Sequence, residues 1–242
     1  GVNRLSIGVE TVNDKFLKLL GRVHTKEEVV DKINLAKKYF SNLNIDLMYA
    51  FPSETISDLI CDINFVLNLN PTHISIYSLI IEEHTKLFID GITSISQELD
   101  RMMYETIIEN LKKSGYVHYE ISNFAKDGFQ SKHNLVYWDN DEYYGFGLGA
   151  SGYISDIRYS NTRSITKYLN NEYRRDEETI TKELAMEYEM ILGLRKIEGV
   201  SKEKFYQKYS LAISDVFDII DLVDKKLLVD GKGNVYINEY NL

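Results

Sequence analysis

The sequence predicts an α/β protein built on parallel strands, followed by a small helical module of winged-helix type. Three short apolar runs of strand length recur within residues 4–79, and amphipathic helical patterns separate them. That alternation is the signature of a parallel sheet with crossover helices. After Thr179 the pattern turns helical and ends in a hairpin signal, which predicts the second part.

The expected strands are Arg4–Glu10, Asn44–Ala50 and His73–Leu79, each rich in β-branched or aromatic residues. Thr25 followed by Glu28 has capping-box spacing ahead of Val29, Val30, Ile33, Leu35 and Ala36, so a helix is expected there. Ser57 is expected to open a second helix through Leu59, Ile60, Ile63, Val66 and Leu67, ending before Asn70-Pro71. A third helix is read from Ser96 to Ser114, closed by Gly115, with a strand at Tyr116–Ile121. Residues 122–164 are rich in Asn, Tyr, Gly and Asp with weak periodicity, and are read as mostly loop. Helices follow at 181–195, 201–209 and 213–226. Asp230-Gly231 and Gly233-Asn234 supply turn chemistry for a hairpin across Leu227–Ile237. The expected organisation is therefore a strand-and-helix portion with its connecting segment over 1–164 and a helical domain over 165–242. Three parallel strands cannot close a barrel and leave a raw edge. Earlier strands are thus expected to precede Gly1, and the edge is expected to be paired, swapped or covered.

Charge and cysteine content narrow the function. The chain has 242 residues, 28 Lys or Arg against 37 Asp or Glu, and a net charge of -9. Broad electrostatic binding to nucleic acid needs a basic footprint, which is lacking overall and in the acidic C-terminal module. One cysteine, Cys61, excludes an internal disulfide and a thiolate-only cluster, and suits a reducing cytoplasm. Its apolar neighbours mark it as a buried, inert thiol.

Ligands of α/β folds sit at the carboxyl ends of the strands. Those ends carry Glu10, Asp46 and the stretch Ile80–Glu83. Asp46 lies between Ile45 and Leu47, and an aspartate there needs a partner or a polar cavity. It reads either as an inward aspartate capping a neighbouring backbone or as a carboxylate for hydroxyl or ribose groups. Arg22 suits an anion or a solvated helix end. Gly145–Gly152 permits close backbone approach but lacks the context of a dinucleotide fingerprint. His133-Asn134-Leu135-Val136-Tyr137-Trp138 joins a histidine, a tyrosine and the only tryptophan in what reads as a polar loop. Imidazole can ligate haem iron and aromatic rings can cover a macrocycle, although a solvated histidine is the commoner case.

Several stretches, in order, resemble radical S-adenosylmethionine (SAM) proteins related to oxygen-independent coproporphyrinogen III oxidase. They are Gly1–Glu10, Leu20–His24, Asn44–Tyr49, Ile76–Glu83, Tyr119–Ala125 and His133–Trp138. The last two are similar to the HemW-like haem-chaperone branch of that family. The resemblance implies the C-terminal half of a (β/α)6 partial barrel followed by a HemN-type helical domain. It implies SAM contacts at Glu10, Arg22, Asp46, Ile80 and Tyr153, and haem contacts at His133, Tyr137 and Trp138. It also implies a [4Fe-4S] cluster held by a Cys-x-x-x-Cys-x-x-Cys loop, which this sequence lacks, so the cluster and SAM cleavage are not expected of this chain. The implied function is a cytoplasmic chaperone passing haem to acceptor proteins, membrane-associated ones included. The alternative is the oxidase, which decarboxylates coproporphyrinogen III. Glu10 departs from the family's usual glutamine and Ser151 from a frequent histidine.

Overall fold

The computed structural model describes residues 1–238. It forms two compact units, Gly1–Gln130 and residues from Ser131 onward. The expected boundary at 164/165 falls inside the second unit.

The first unit opens with β1 (Arg4–Glu10), α1 (Asp14–Leu19), α2 (Lys26–Lys37) and β2 (Asn42–Tyr49). It continues with α3 (Ile56–Leu69), β3 (His73–Ser78), α4 (Lys86–Ile89) and α5 (Gln97–Lys113), and ends with β4 (Val117–Glu120) and β5 (Asn123–Ala125). The sheet order is β1-β2-β3-β5-β4, with β1, β2 and β3 parallel and β5 antiparallel to both β3 and β4. The predicted strand at Tyr116–Ile121 is thus one arm of a tight hairpin whose second arm falls in the stretch read as loop. The expected capping box of Thr25 and Glu28 is present. The second helix is opened by Thr55 with Asp58 rather than by Ser57, because Thr55 Oγ1 accepts the Asp58 amide while the Asp58 carboxylate accepts that of Thr55. Asn70 takes a left-handed φ of 48° to end that helix ahead of Pro71. Cys61 is exposed, correcting the buried-thiol expectation: the apolar stripe of α3 is carried by Leu59, Ile63 and Val66, and Cys61 falls off it.

One face of this sheet is apolar and the other polar. Val9, Ile45, Leu47, Ile74, Ile76 and Phe124 pack against Ile33, Ile63, Met103 and Ile107 from the helices. The alternate residues of the strands, Ser6, Asn44, Asp46, His73 and Ser75, turn to the opposite face. Each successive strand residue points to the other side of the pleat.

The second unit begins with α6 (Lys132–Trp138), β6 (Ser151–Ile154), β7 (Ile157–Asn161), α7 (Ile165–Leu169) and β8 (Arg174–Thr179). The strands form an antiparallel meander, β6-β7-β8, where mostly loop was expected. Gly152 explains part of the glycine-rich stretch: a Cβ there would stand 2.2 Å from the Tyr159 ring of the neighbouring strand. Next come α8 (Lys182–Gly193), β9 (Val200–Ser201), α9 (Lys202–Tyr209), α10 (Ile213–Val216), α11 (Ile220–Asp224), β10 (Leu228–Asp230) and β11 (Asn234–Ile237). The single helix expected at 213–226 is broken in two at Phe217, which is extended and sets its ring edge-on to Phe205 at 6.3 Å. The hairpin gains β9 as a third strand and closes a core of Met186, Met190, Val200, Phe205, Ile213 and Val235. Four helices, α8 to α11, and the three-stranded sheet thus surround one core, where three helices and a hairpin were expected.

Candidate functional site

In the first unit the candidate residues gather at the carboxyl ends of β1 and β2. Glu10 closes β1 with φ of 64°, a region that a non-glycine residue occupies only when its surroundings hold it. The ladder with β2 slips between Gly8 and Glu10, and this bulge folds the carboxylate back over Gly8. The Arg22 guanidinium donates to Glu10 Oε1 at 2.7 Å. The turn that delivers Arg22 is anchored by α1, whose Phe16 stacks on Phe51 at 4.8 Å, and by the Arg22 amide donating to Leu17 O. Burial raises the Glu10 pKa above the ordinary carboxylate value. Arg22 opposes that rise and the negative charge of Asp46 adds to it.

Asp46 sits on the polar face. Its Oδ2 accepts Ser6 Oγ at 2.9 Å and its Oδ1 accepts Asn44 Nδ2 at 2.7 Å. Its hydrogen-bond partners are thus side chains of β1 and of its own strand β2 rather than a backbone group. Ile80 follows β3 with its side chain 75 % exposed, behind a buried Leu79 whose amide is held by Tyr49 O. The structure thus brings Glu10, Arg22 and Asp46 together and sets Ile80 at the same end of the sheet. Tyr153 lies in the second unit, buried against Ile180 and Ala185, with the Arg158 guanidinium 4.5 Å above its ring. Residues the sequence reading did not single out are Ser6, Asn44, His73 and Tyr119, all joined to Asp46 through hydrogen bonds. The detectable signal was the polar alternation Asn44, Asp46 and His73, Ser75 inside strands otherwise apolar.

The His133–Trp138 segment is helix α6 and not a loop, because Ser131 Oγ caps the Asn134 amide and starts a turn. Four-residue spacing places His133 and Tyr137 on one face. The Tyr137 hydroxyl meets His133 Nε2 at 2.6 Å, and the Tyr137 ring packs edge-on against Tyr143. His133 is exposed. Burial and the neighbouring Tyr143 raise the Tyr137 pKa, so its hydroxyl stays protonated. Trp138 points elsewhere, beneath the Arg195 guanidinium at 4.4 Å, and its buried Nε1–H finds no acceptor among the described residues. The C-terminus of α6 is tied down by Lys196, which is buried and paired with Asp139.

Comparison with known proteins gives this geometry a family. Residues 1–66 match the Radical SAM superfamily and residues 180–237 match the HemN C-terminal domain. The chain belongs to the radical SAM superfamily and carries a HemN C-terminal domain. Within it the chain is similar to the heme chaperone HemW of Lactococcus lactis, 42 % identical over 98 % of this chain and 65 % of that protein. It is also similar to HemW of Bacillus subtilis, 40 % identical over 98 % of this chain and 66 % of the relative. The chain spans about two thirds of the length of these relatives. Its fold is that of coproporphyrinogen III oxidase (HemN) from Escherichia coli, a radical SAM enzyme, with a TM-score of 0.82 at 19 % identity, covering 100 % of this chain and 62 % of that one.

Proposed function

We propose that this chain is part of a haem-binding chaperone of the radical SAM family, carrying haem on the α6 face and passing it to acceptor proteins. The observation that supports this most is the 42 % and 40 % identity, over 98 % of the chain, to proteins named heme chaperone HemW. Haem in this reading is cargo. The exposed His133 imidazole fits an axial ligand to haem iron, Tyr137 lies beside it, and Trp138 braces the helix from beneath. The Tyr137 hydroxyl occupies Nε2, so that nitrogen becomes available to iron only when the hydroxyl turns away.

In the same reading SAM is held by the first unit through Glu10, Arg22, Asp46 and Ile80. The donor set fits: Asp46 and Glu10 offer carboxylate oxygens to hydroxyl or ammonium groups, and exposed Ile80 offers an apolar contact. Arg22 is committed to Glu10, which makes it a holder of that carboxylate. Bound SAM supplies the family's 5′-deoxyadenosyl group. The chain's own side chains do not fit an iron–sulfur cluster. Its one cysteine is exposed on α3, and among the described residues no three His, Cys, Asp or Glu are grouped to hold a metal ion. No described helix is long and apolar enough to cross a membrane, and the single cysteine suits a reducing cytoplasm as the setting.

Titrating haem into the chain and into His133→Ala, followed by Soret absorption, tests the assignment. A shifted Soret band and weakened binding in the variant, with unchanged circular dichroism, are expected. Identical spectra and affinity would remove His133 from the haem site.

A further inference from the structure

Hydrogen bonds on the polar face of the sheet run in one direction. Asp46 can only accept, so the Asn44 group 2.7 Å from its Oδ1 has to be the amide nitrogen. The other Nδ2 hydrogen goes to Ser6 Oγ at 2.6 Å, and Ser6 in turn donates its own hydrogen to Asp46 Oδ2 at 2.9 Å. The orientation of Asn44 is therefore fixed by chemistry, and its Oδ1 faces His73. That oxygen accepts from Ser75 Oγ at 3.1 Å and lies 2.6 Å from His73 Nδ1. Two acceptors cannot meet at that distance, so His73 carries its proton on Nδ1. Its Nε2 is then the acceptor for the Tyr119 hydroxyl at 2.7 Å. All four hydrogen-bonding capacities of Asn44 are used.

The alternative, a doubly protonated ring, is disfavoured by position. His73 is fully buried, and burial with the nearby Arg4 charge pushes its pKa down to about 3. The groups facing the ring are Asn44 from β2, Tyr119 from β4 and the Arg4 charge from β1. A buried neutral histidine with both nitrogens engaged is a rigid spacer between Tyr119 and Asn44.

We infer that His73 is a positioning residue: through Asn44 it orients the Asp46 carboxylate as an acceptor toward the open face of the sheet, so that Asp46 takes a pair of ligand hydroxyls such as the vicinal diol of a ribose. Ser6 and Asn44 use two of the roughly four acceptor sites of a carboxylate, and the rest are left for ligand donors. Loss of His73 removes one of the two donors that hold Asn44 Oδ1, so the amide keeps its orientation but loses its brace, and the donor it offers Asp46 is no longer held in one place. The inference rests on the reading of Asp46 as a ligand-binding carboxylate.

Two measurements on the full chain test these separately. Long-range 1H–15N spectra of the histidine rings, with the His73 signal identified by its loss in His73→Asn, are expected to show an Nδ1–H tautomer that stays neutral from pH 8 to about 4. An Nε2–H tautomer, or titration near the ordinary histidine value, overturns the relay. Binding of adenosine against 2′,3′-dideoxyadenosine reads its consequence. The unaltered chain is expected to favour adenosine by about tenfold or more, the scale of a hydrogen bond to a charged group. His73→Leu is expected to erase that preference while leaving dideoxyadenosine binding unchanged. His73→Asn, which keeps a donor near the Nδ1 position, is expected to restore much of it. A preference that survives in His73→Leu sinks the positioning role and leaves Asp46 as a ligand. Absence of any preference in the unaltered chain sinks the Asp46 reading itself, whatever the ring spectra show.

Discussion

The Arg22 guanidinium and the Glu10 carboxylate meet at 2.7 Å, with the carboxylate nearly enclosed and the guanidinium half in solvent, their side chains 12 % and 52 % exposed. Such a pair adds little to folding because its cation is screened by water. Its effect is on direction: it holds one oxygen of Glu10 and leaves the other for a ligand. Arg22→Ala is expected to cost under about 1 kcal/mol in urea unfolding, to raise the Glu10 pKa further, and to weaken SAM binding measured by calorimetry. A large stability loss with unchanged binding would reverse this assignment.

Gly8 makes room for that carboxylate. A Cβ at position 8 would stand 2.8 Å from Glu10 Oε1. Gly8→Ala is expected to push the carboxylate off Arg22 and to reproduce the binding loss of Arg22→Ala, with the double variant no worse than either single one. Additive losses would show that the two residues act independently.

Glu54 is expected to give the chain a pH-dependent stability. It is buried at the end of the β2–α3 connection, with Oε2 accepting the Phe51 amide at 2.9 Å, and burial raises its pKa to about 7. A carboxyl group whose pKa is higher folded than unfolded binds its proton more tightly in the fold. Its contribution is full below about pH 4.5 and is lost as the pH rises through about 7. Glu54→Gln is expected to flatten the melting temperature between pH 5 and 8 and to exceed the parent at pH 8, by on the order of 1–3 kcal/mol. Parallel pH profiles for the two proteins would refute it.

Lys196 is expected to govern the order of α6. Its buried ammonium pairs with Asp139 immediately after that helix, and Lys204 stands 3.7 Å from the same carboxylate. Lys196→Met is expected to cost about 2 kcal/mol, below the 3–5 typical of a stranded buried charge because Lys204 remains. Hydrogen exchange at Leu135–Asp139 is expected to accelerate with it.

Trp138 is the only tryptophan, so its emission reports on the second unit alone. Haem bound at His133 is expected to quench it, and His133→Ala to shift the quenching curve to higher haem concentration. Equal quenching curves would place haem elsewhere.

The parallel strands, the capped helices and the hairpin module were legible because their signals are local: Thr25 with Glu28, Asn70 before Pro71, and Asp230-Gly231. The antiparallel β5 was not, because three residues carry no periodicity and their pairing with β3 is set by the hairpin. The α6 helix was hidden by its length of only seven residues and by a cap at Ser131 that only geometry distinguishes from a turn. At the candidate site, Glu10 could be found as an acidic residue ending its strand, and Asp46 as one set between Ile45 and Leu47 inside an otherwise apolar strand. His73 could not, since a histidine starting a strand reads as an edge residue until register sets it beside Asn44. Cys61 was misread because apolar neighbours in sequence are not neighbours in space on a helix.

The two outer strands of the five-stranded sheet differ in kind. On one side the chain turns back through Ile121-Ser122 into a short antiparallel hairpin, whose outer strand β4 offers an edge of only four residues. On the other, β1 is seven residues long and presents a row of main-chain donors and acceptors. The sheet therefore has a short margin and a long one. A strand that adds to the longer margin, from the same polypeptide or another, docks beside Ser6 and Gly8, and so next to the side chains of Asp46 and Glu10.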